Sequence, residues 1–390
     1  MAHYNTVLHQ LLSLTPRHDF DELVRQFQGD RYVKRFTSWN QFTVMLFAQA
    51  SGKSSLRDIQ NAFAAQAGHL YHLGLKSAVA RSTLSDANAS RDYRLYEKLF
   101  YRLQLRCRSM APKHQFRFKN PLFSIDSTVI ELALSAFPWA RYSRTNGALK
   151  LHYGLDHAGN IPVFLNVTPN DARGSDVGVA RQHWAIVPDS INCFDKGYID
   201  FAWFRRIHDE KAFFVTRARK NFAYRVIGQQ EISKNKSIVF DRIVEPELEK
   251  TAHKFPYPLR LIGYFDAASG RSFEFLTNNF VLAAATIAQI YKARWQIEAF
   301  FKWIKQNLRI KVFLGTSKNA VLTQVWVAMW YVLLLAYIKF QAKYRFSLFY
   351  LHRVVGETVL AKLSILDLMN LNTRRLARIR CREPQLCLQL

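Results

Sequence analysis

The first 110 residues place apolar side chains at the spacing of α-helices. Apolar positions recur in three segments, Val7–Leu14, Leu23–Phe27 and Trp39–Ala50. After a Ser-Gly-Lys-Ser-Ser turn, Ser55 is suited to cap a fourth helix that runs to Ala65. The pattern predicts an all-α N-terminal domain, which we place at residues 1–115.

From Pro121 onward the pattern changes to short apolar strands. They are predicted at Leu122–Ile125, Leu149–Leu155, Ile161–Thr168, Ile191–Phe194 and Phe213–Val215, with a helix at Ala180–Ile186. Three adjacent strands, a helix and then further strands is the order of an RNase H-like core. The predicted fold class is therefore α/β, with this core at residues 116–218 and 281–335.

Residues 219–280 alternate polar and apolar side chains in strand-like runs and contain few helix signals. We interpret them as a β-rich insertion in the core. A long helix is predicted after it, from about Val281 to Leu308. Residues 336–390 are predicted to form a basic, helical C-terminal segment, in which arginines cluster between Arg374 and Arg382.

One apolar stretch is a candidate for membrane insertion. The uninterrupted apolar part, Val325–Ile338, is 14 residues long, which is shorter than the roughly 20 residues that a spanning helix needs. We expect a buried helix and no membrane partner. No signal-peptide pattern is present at the N-terminus, and four scattered cysteines without a C-x2-C pair indicate neither a zinc site nor a disulfide framework. A reducing, cytoplasmic location is expected.

The charge of the chain predicts a polyanionic partner. Its 55 Lys and Arg against 29 Asp and Glu give a net charge of +26, which is unevenly spread. Residues 1–120 carry +10 and residues 301–390 carry +12, whereas residues 121–300 carry only +4. This distribution is expected if the middle of the chain binds cations and the flanks bind phosphates. The helical N-terminus allows a helix-turn-helix-like DNA reader, although an ordinary helical bundle with a solvated basic face fits equally well.

Two acids follow apolar strands, Asp126 after Leu122–Ile125 and Asp195 after Ile191–Phe194. Phosphoryl transfer by two divalent ions about 4 Å apart needs carboxylates placed in this way. Each acid alone is weak evidence, since aspartates at strand ends are common turn formers.

A helix supplies a third acid among basic and aromatic residues. Tyr291, Arg294, Glu298 and Lys305 are spaced so that all four lie along one helix face. One carboxylate beside a tyrosine, an arginine and a lysine suits metal binding next to a phosphate backbone. A surface helix with ordinary ion pairs would explain the Arg–Glu spacing but not Asp126 and Asp195.

The spacing Tyr291-x2-Arg294-x3-Glu298-x6-Lys305 is similar to the Y-x2-R-x3-E-x6-K signature of the DDE transposases of bacterial insertion sequences, in the IS-four family. Phe123-Ser-Ile-Asp126-Ser-Thr resembles the first-Asp motif of that family, and Phe194-Asp195-Lys-Gly-Tyr the second. Lys196 stands where the family usually has arginine. The resemblance is strongest over residues 121–312.

The resemblance implies cut-and-paste transposition by one active site. Asp126, Asp195 and Glu298 would be the catalytic metal ligands for two Mg²⁺ or Mn²⁺ ions, and Tyr291, Arg294 and Lys305 would bind DNA phosphates. Water would attack at the element end, and the freed 3′-hydroxyl would form a hairpin, which hydrolysis reopens before strand transfer. The partners would be the terminal inverted repeats and target DNA, bound by a homodimer.

Two other functions remain open from the sequence. An RNase H-like, structure-selective nuclease would cleave DNA without joining ends. A DNA-binding regulator descended from a transposase would do neither, although the presence of all three carboxylates argues against loss of catalysis.

Overall fold

The structure is a computed structural model that describes residues 5–141, 147–169, 175–232, 237–308 and 312–370. The chain divides into two compact units. One consists of Met1–Met110 with Asn307–Leu390, and the other of Ala111–Gln306. We call them the helical unit and the sheet unit.

From residue 5 to residue 110, the described N-terminal part of the helical unit contains six α-helices. Thr37 accepts a hydrogen bond from the Asn40 amide, and the Asn40 side chain accepts one from the Thr37 amide, so these two residues form a capping box. Ser55 caps the next helix as predicted. The helices are α1 (Val7–Ser13), α2 (Arg17–Gln26), α3 (Ser38–Ala50), α4 (Leu56–Ala65), α5 (Arg81–Ser90) and α6 (Arg94–Met110).

The sheet unit is built on one nine-stranded mixed sheet. Its strands are β1 (Leu122–Leu132), β2 (Gly147–Asp156), β3 (Ile161–Pro169), β4 (Ile191–Phe194), β5 (Phe213–Arg217), β6 (Tyr224–Gln229), β7 (Ile238–Pro246), β8 (Leu259–Asp266) and β9 (Arg271–Thr277). The order across the sheet is β3-β2-β1-β4-β5-β9-β8-β7-β6.

The first five strands have the topology of an RNase H-like core. β3, β2 and β1 are antiparallel, and β4 and β5 continue the sheet parallel to β1. The predicted α/β fold class with this core is confirmed. The segment predicted as a β-rich insertion does form strands, but these extend the core sheet, because β9 pairs with β5.

Among the residues described in the sheet unit there are five α-helices: α7 (Asp176–His183), α8 (Phe201–Asp209), α9 (Glu249–Lys254), α10 (Ala284–Ala293) and α11 (Trp295–Asn307). The single long helix predicted from Val281 to Leu308 is therefore two helices that meet at Arg294. The amide of Arg294 donates to Tyr291 O and that of Ile297 donates to Arg294 O, so the junction is tightened by bonds between residues three apart.

The remaining helices, α12 (Lys318–Gln341), α13 (Leu348–Thr358) and α14 (Ile365–Asn370), belong to the helical unit. Among the described residues, α12 is the one helix long and apolar enough to cross a membrane, and its apolar stretch is completely buried. It packs against α3, α5 and α6. α12 carries apolar side chains on all its sides, so every side of the helix is buried within this unit.

The two units divide the chain differently from the predicted domains. The prediction ends the N-terminal domain at residue 115 and keeps residues 281–335 with the core, whereas the chain from Asn307 onward clusters with the N-terminal helices. The arginines between Arg374 and Arg382 lie outside the described residues.

Candidate active site

The two strand acids lie next to each other in the sheet. β1 and β4 pair in parallel, with Ile125 opposite Phe194 as the last partners. Asp126 and Asp195 are the next residues on the two chains, at the point where the pairing ends. β1 itself continues to Leu132, because it remains paired with β2, so Asp126 lies within a strand and not at its end as predicted.

Both acids point to the face of the sheet that α10 covers. Leu122 and Cys193 pack in one apolar cluster with Ile290 of α10. Alternate residues of a strand share a face, so Asp126 shares the face of Leu122, and Asp195 shares that of Cys193. The sheet therefore presents the two carboxylates to the helix pair that carries the third.

Arg294 joins two of the three carboxylates. Its Nη1 donates to Asp126 Oδ2 at 3.0 Å, and its Nη2 donates to Glu298 Oε1 at 2.8 Å. The Arg294 side chain is only 10% exposed, against 33% for Glu298. Arg294 is also the residue at which α10 gives way to α11, so the junction places the guanidinium between the sheet and α11.

Tyr291 and Lys305 connect the same helices to the sheet. The Tyr291 hydroxyl donates to Asp195 Oδ1 at 3.2 Å, and Lys305 Nζ donates to the backbone oxygen of Val129 on β1 at 2.9 Å. All six side chains predicted for the site thus lie in the sheet unit. Arg294 and Lys305 contact β1 and Tyr291 contacts Asp195, which follows β4. Glu298 is linked to β1 through Arg294. The four helix residues thus belong to two helices and their junction, and not to one continuous helix as predicted.

Burial raises the pKa of Asp126 to about 6. The backbone amide of Ser127 and the charge of Arg294 oppose this rise, whereas the neighbouring carboxylates Glu298 and Asp195 add to it. Asp126 is desolvated and lies beside two other carboxylates, and its raised pKa indicates that Arg294 does not fully compensate the negative charge of the site. Burial likewise raises the pKa of Tyr291, so its hydroxyl is protonated and acts as a donor.

The donor set fits divalent metal ions. Three carboxylates and one guanidinium leave two uncompensated negative charges, and oxygen ligands are those that Mg²⁺ and Mn²⁺ prefer. The three carboxylates do not converge on one point. Among the described residues, one group of three His, Cys, Asp or Glu side chains has all its ligand atoms within 4.8 Å of one another, and it consists of His18, Asp19 and Glu22. Asp19 and Glu22 of this group pair with Arg102.

One contact in the site had no signal in the sequence. The backbone amide of Ser127 donates to Asp126 Oδ1 at 2.8 Å and fixes the orientation of that carboxylate. Every residue type except proline offers such an amide, so no residue pattern could reveal it.

Two family models match the chain. A transposase DDE domain matches residues 117–334, which is more than half of the chain, and a domain of unknown function, DUF4372, matches residues 3–76. The protein belongs to the transposase DDE-domain family.

Similar proteins carry the same description. A protein named transposase y4zB from Sinorhizobium fredii is 34% identical over 249 residues, which cover 63% of this chain and 68% of the relative. A transposase for insertion sequence element IS5377 from Geobacillus stearothermophilus is 26% identical, over 67% of this chain and 68% of its own. A solved chain of the piggyBac transposase synaptic complex with hairpin DNA shares 11% identity with a TM-score of 0.40, over 89% of this chain and 72% of that one.

Proposed function

We propose that this transposase cuts and rejoins DNA at the ends of an insertion sequence, with Asp126, Asp195 and Glu298 as its catalytic carboxylates. One observation carries the proposal. Asp126 and Asp195 follow the last paired residues of two parallel strands, and the helix junction at Arg294 brings Glu298 to the same face.

The three carboxylates would hold two divalent ions, Mg²⁺ or Mn²⁺. Bound there, the ions would activate the attacking oxygen and stabilise the leaving oxygen of an in-line displacement at phosphorus. Hydrolysis, hairpin formation and strand transfer are all displacements of this type, so one set of carboxylates serves every step.

Arg294, Tyr291 and Lys305 would hold the DNA backbone. Arg294 pairs with both Asp126 and Glu298, so it must release at least one of them when a cation binds. The released guanidinium is a bidentate donor suited to a phosphate. Lys305 lies on the same helix as Glu298 and would contact a neighbouring phosphate of the same strand.

The helical unit would recognise the terminal inverted repeat. Its surface has a cleft lined by the exposed arginines Arg57 of α4 and Arg81 of α5, together with the hydroxyls of Ser54 and Ser82. Cations and hydroxyls at the surface of a helical unit suit phosphate contacts. Paired cleavage of two ends requires two active sites, so the DNA-bound form would be a homodimer, acting in the cytoplasm.

The test uses a labelled duplex that ends in the inverted repeat flanking the coding region, with Mg²⁺ present. Asp126→Asn, Asp195→Asn and Glu298→Gln should each reduce strand cleavage below detection while end binding stays within a few-fold of wild type. The matched control Glu210→Gln changes the carboxylate that directly follows α8 and pairs with Arg206 outside the site, and it should cleave normally.

Three results would contradict parts of the proposal. Full cleavage by one of the three variants would remove that residue from the site. Cleavage without any joined product would indicate a nuclease, and end binding without cleavage by the wild-type protein would indicate a regulator.

A further inference from the structure

A buried ion pair lies in the sheet unit outside the carboxylate site. Arg260 of β8 and Asp241 of β7 are each 2% exposed. They form a two-pronged pair, with Nε donating to Oδ1 at 2.8 Å and Nη2 donating to Oδ2 at 2.6 Å. Arginine and aspartate are rarely buried to this extent, so the position needs a reason beyond strand pairing.

The remaining Arg260 nitrogen binds the loop that leads into α10. Nη1 donates to the backbone oxygen of Asn279 at 3.1 Å and to that of Leu282 at 2.5 Å. Asp241 thus orients a guanidinium whose free edge holds two carbonyls of the loop. α10 starts immediately afterwards, and its N-cap residue Ala283 has no side chain that could cap the helix.

The same loop is fixed on its other side by three consecutive polar residues. Thr277 donates its hydroxyl hydrogen to Phe214 O and accepts from the Asn279 amide. Asn278 accepts from the Phe214 amide and donates to Ala212 O, which attaches the loop to β5 and the residue before it. The side chain of Asn279 accepts from the two amides that precede Ala283.

The loop determines where α10 begins, and α10 carries two residues of the site. A ten-residue helix is about 15 Å long. Tyr291 lies on its last turn, and Arg294 closes it. A small shift or rotation at the start of such a rod moves both side chains relative to Asp126 and Asp195.

The geometry points to Arg260, oriented by Asp241, as a positioning residue for the transposition site. It would act by fixing the start of α10 and thereby the contacts of Tyr291 and Arg294 with the carboxylates. This inference rests on the proposed function of those carboxylates. Lysine cannot replace Arg260, because a single ammonium does not bind a carboxylate with two parallel bonds while it holds two carbonyls.

The experiment separates positioning from stability in the full-length protein. The double variant Asp241→Leu with Arg260→Met replaces the ion pair by apolar side chains of similar volume, which proteins tolerate well. We expect a melting temperature near that of wild type, and an affinity for the labelled element end that is lower by at most a few-fold. Cleavage should be slower by roughly 10- to 100-fold, because misplaced groups lose catalysis without losing binding.

A second readout is independent of activity. Amide hydrogen exchange in Ala284–Ala293 should be at least about tenfold faster in the double variant, whereas exchange in Phe201–Asp209 should not change. Arg260→Lys keeps the charge opposite Asp241 and should show the same losses, which covers the case in which the double variant fails to fold. The matched control, Arg225→Met with Glu245→Leu, removes an exposed pair between β6 and β7 and should match wild type in both assays.

Wild-type cleavage and wild-type exchange in Arg260→Lys, or in a folded double variant, would overturn the inference and leave the pair a purely structural element. Faster exchange with undiminished cleavage would also overturn it. Absence of cleavage by the wild-type protein would instead count against the proposed function. The hydrogen-exchange measurement would still show whether Arg260 fixes the start of α10.

Discussion

Arg294 is the internal counter-ion of the carboxylate site. It neutralises part of the charge of Asp126 and Glu298, at a helix junction that leaves its side chain almost buried. Under the proposed function this one residue would have two roles: the guanidinium stabilises the folded site through these two pairs, and it would be released towards a phosphate when cations bind.

Arg294→Ala should therefore slow strand cleavage by on the order of 100-fold and also weaken end binding, because under the proposed function it removes a charged contact to the reacting strand. The chain provides a matched control in Arg206, which pairs with Glu210 at the same helical spacing and the same 2.8 Å but is about half exposed. Arg206→Ala should cost under about 1 kcal/mol of stability and leave cleavage unchanged. Equal effects of the two substitutions in cleavage assays would show that Arg294 contributes no more to cleavage than an ordinary ion pair does.

Two buried histidines make the stability of the sheet unit sensitive to acid. Burial lowers the pKa of His152 and of His157 to about 4, although Asp176 opposes the change at His152. An unfolded histidine binds its proton below about pH 6.5, whereas these two remain neutral in the fold until about pH 4. The unfolded state therefore binds more protons between these values, so stability is full above pH 6.5 and is lost as the pH falls towards 4.

Between pH 7 and pH 5 we expect each of the two histidines to reduce the free energy of unfolding by about 2 kcal/mol. His152→Gln and His157→Gln should each flatten the dependence of the melting temperature on pH, as measured by calorimetry. His253→Gln, at an exposed position of α9, is the control and should leave the dependence unchanged. A slope that neither buried substitution alters would mean that other groups control the acid sensitivity.

Among the elements, α12 is the central helix of the helical unit. The Trp330 side chain is 1% exposed and meets the ring of Phe42 edge-on at 4.9 Å. Trp330→Ala should cost about 3–5 kcal/mol of unfolding free energy, because it removes the largest type of buried side chain and leaves a cavity. Chemical denaturation followed by circular dichroism measures this, and Tyr71→Ala, at a 67% exposed position, should cost less than about 0.5 kcal/mol.

The packing of α12 also predicts which fragments fold. Residues 1–110 alone lack the helix that fills the space between α3, α5 and α6, so we expect them to show no cooperative thermal transition. Joining residue 110 to residue 307 through a flexible linker restores α12 and should restore the transition. A cooperative melt of residues 1–110 by themselves would show that α12 is dispensable for this core.

The sequence predicted which side chains come together better than it predicted the arrangement of the elements. Strand patterns located Asp126 and Asp195, and the helical spacing from Tyr291 to Lys305 placed its four residues towards the sheet. The junction at Arg294 was not predictable, because it depends on hydrogen bonds between residues three apart and on a carboxylate far away in sequence. The position of α12 was not predictable either, since a helix that is apolar all round gives no indication of which elements surround it.

For the whole molecule, the net charge of +26 predicts strong, salt-dependent DNA binding. Each phosphate neutralised contributes roughly −0.9 to the slope of log K against log salt concentration. Arg57→Ala combined with Arg81→Ala should reduce the slope by about 1 to 2 and should lower affinity for the terminal repeat more than for a scrambled duplex. Fluorescence anisotropy over a salt series measures both quantities.

The control for this experiment removes two arginines from the sheet unit, Arg206 and Arg225, and should affect both duplexes equally. If the wild-type protein bound the terminal repeat and the scrambled duplex with nearly equal affinity, the cleft would contact only the DNA backbone and would not read its sequence. Recognition of the element end would then have to reside in the sheet unit or in the basic C-terminal segment.

The division of the helical unit between the two ends of the chain has a consequence for the timing of synthesis. α6 is complete at Met110, but α12 begins only at Lys318, about 200 residues later. At 5–20 residues per second, the ribosome needs about 10–40 s to add that stretch. Until then the apolar surfaces of α3 and α6 lack the helix that covers them, so a polypeptide whose translation stops early contains no complete helical unit. If the helical unit binds the element ends as proposed, incomplete products would not occupy those ends, and only chains that already carry Asp126, Asp195 and Glu298 would compete for them.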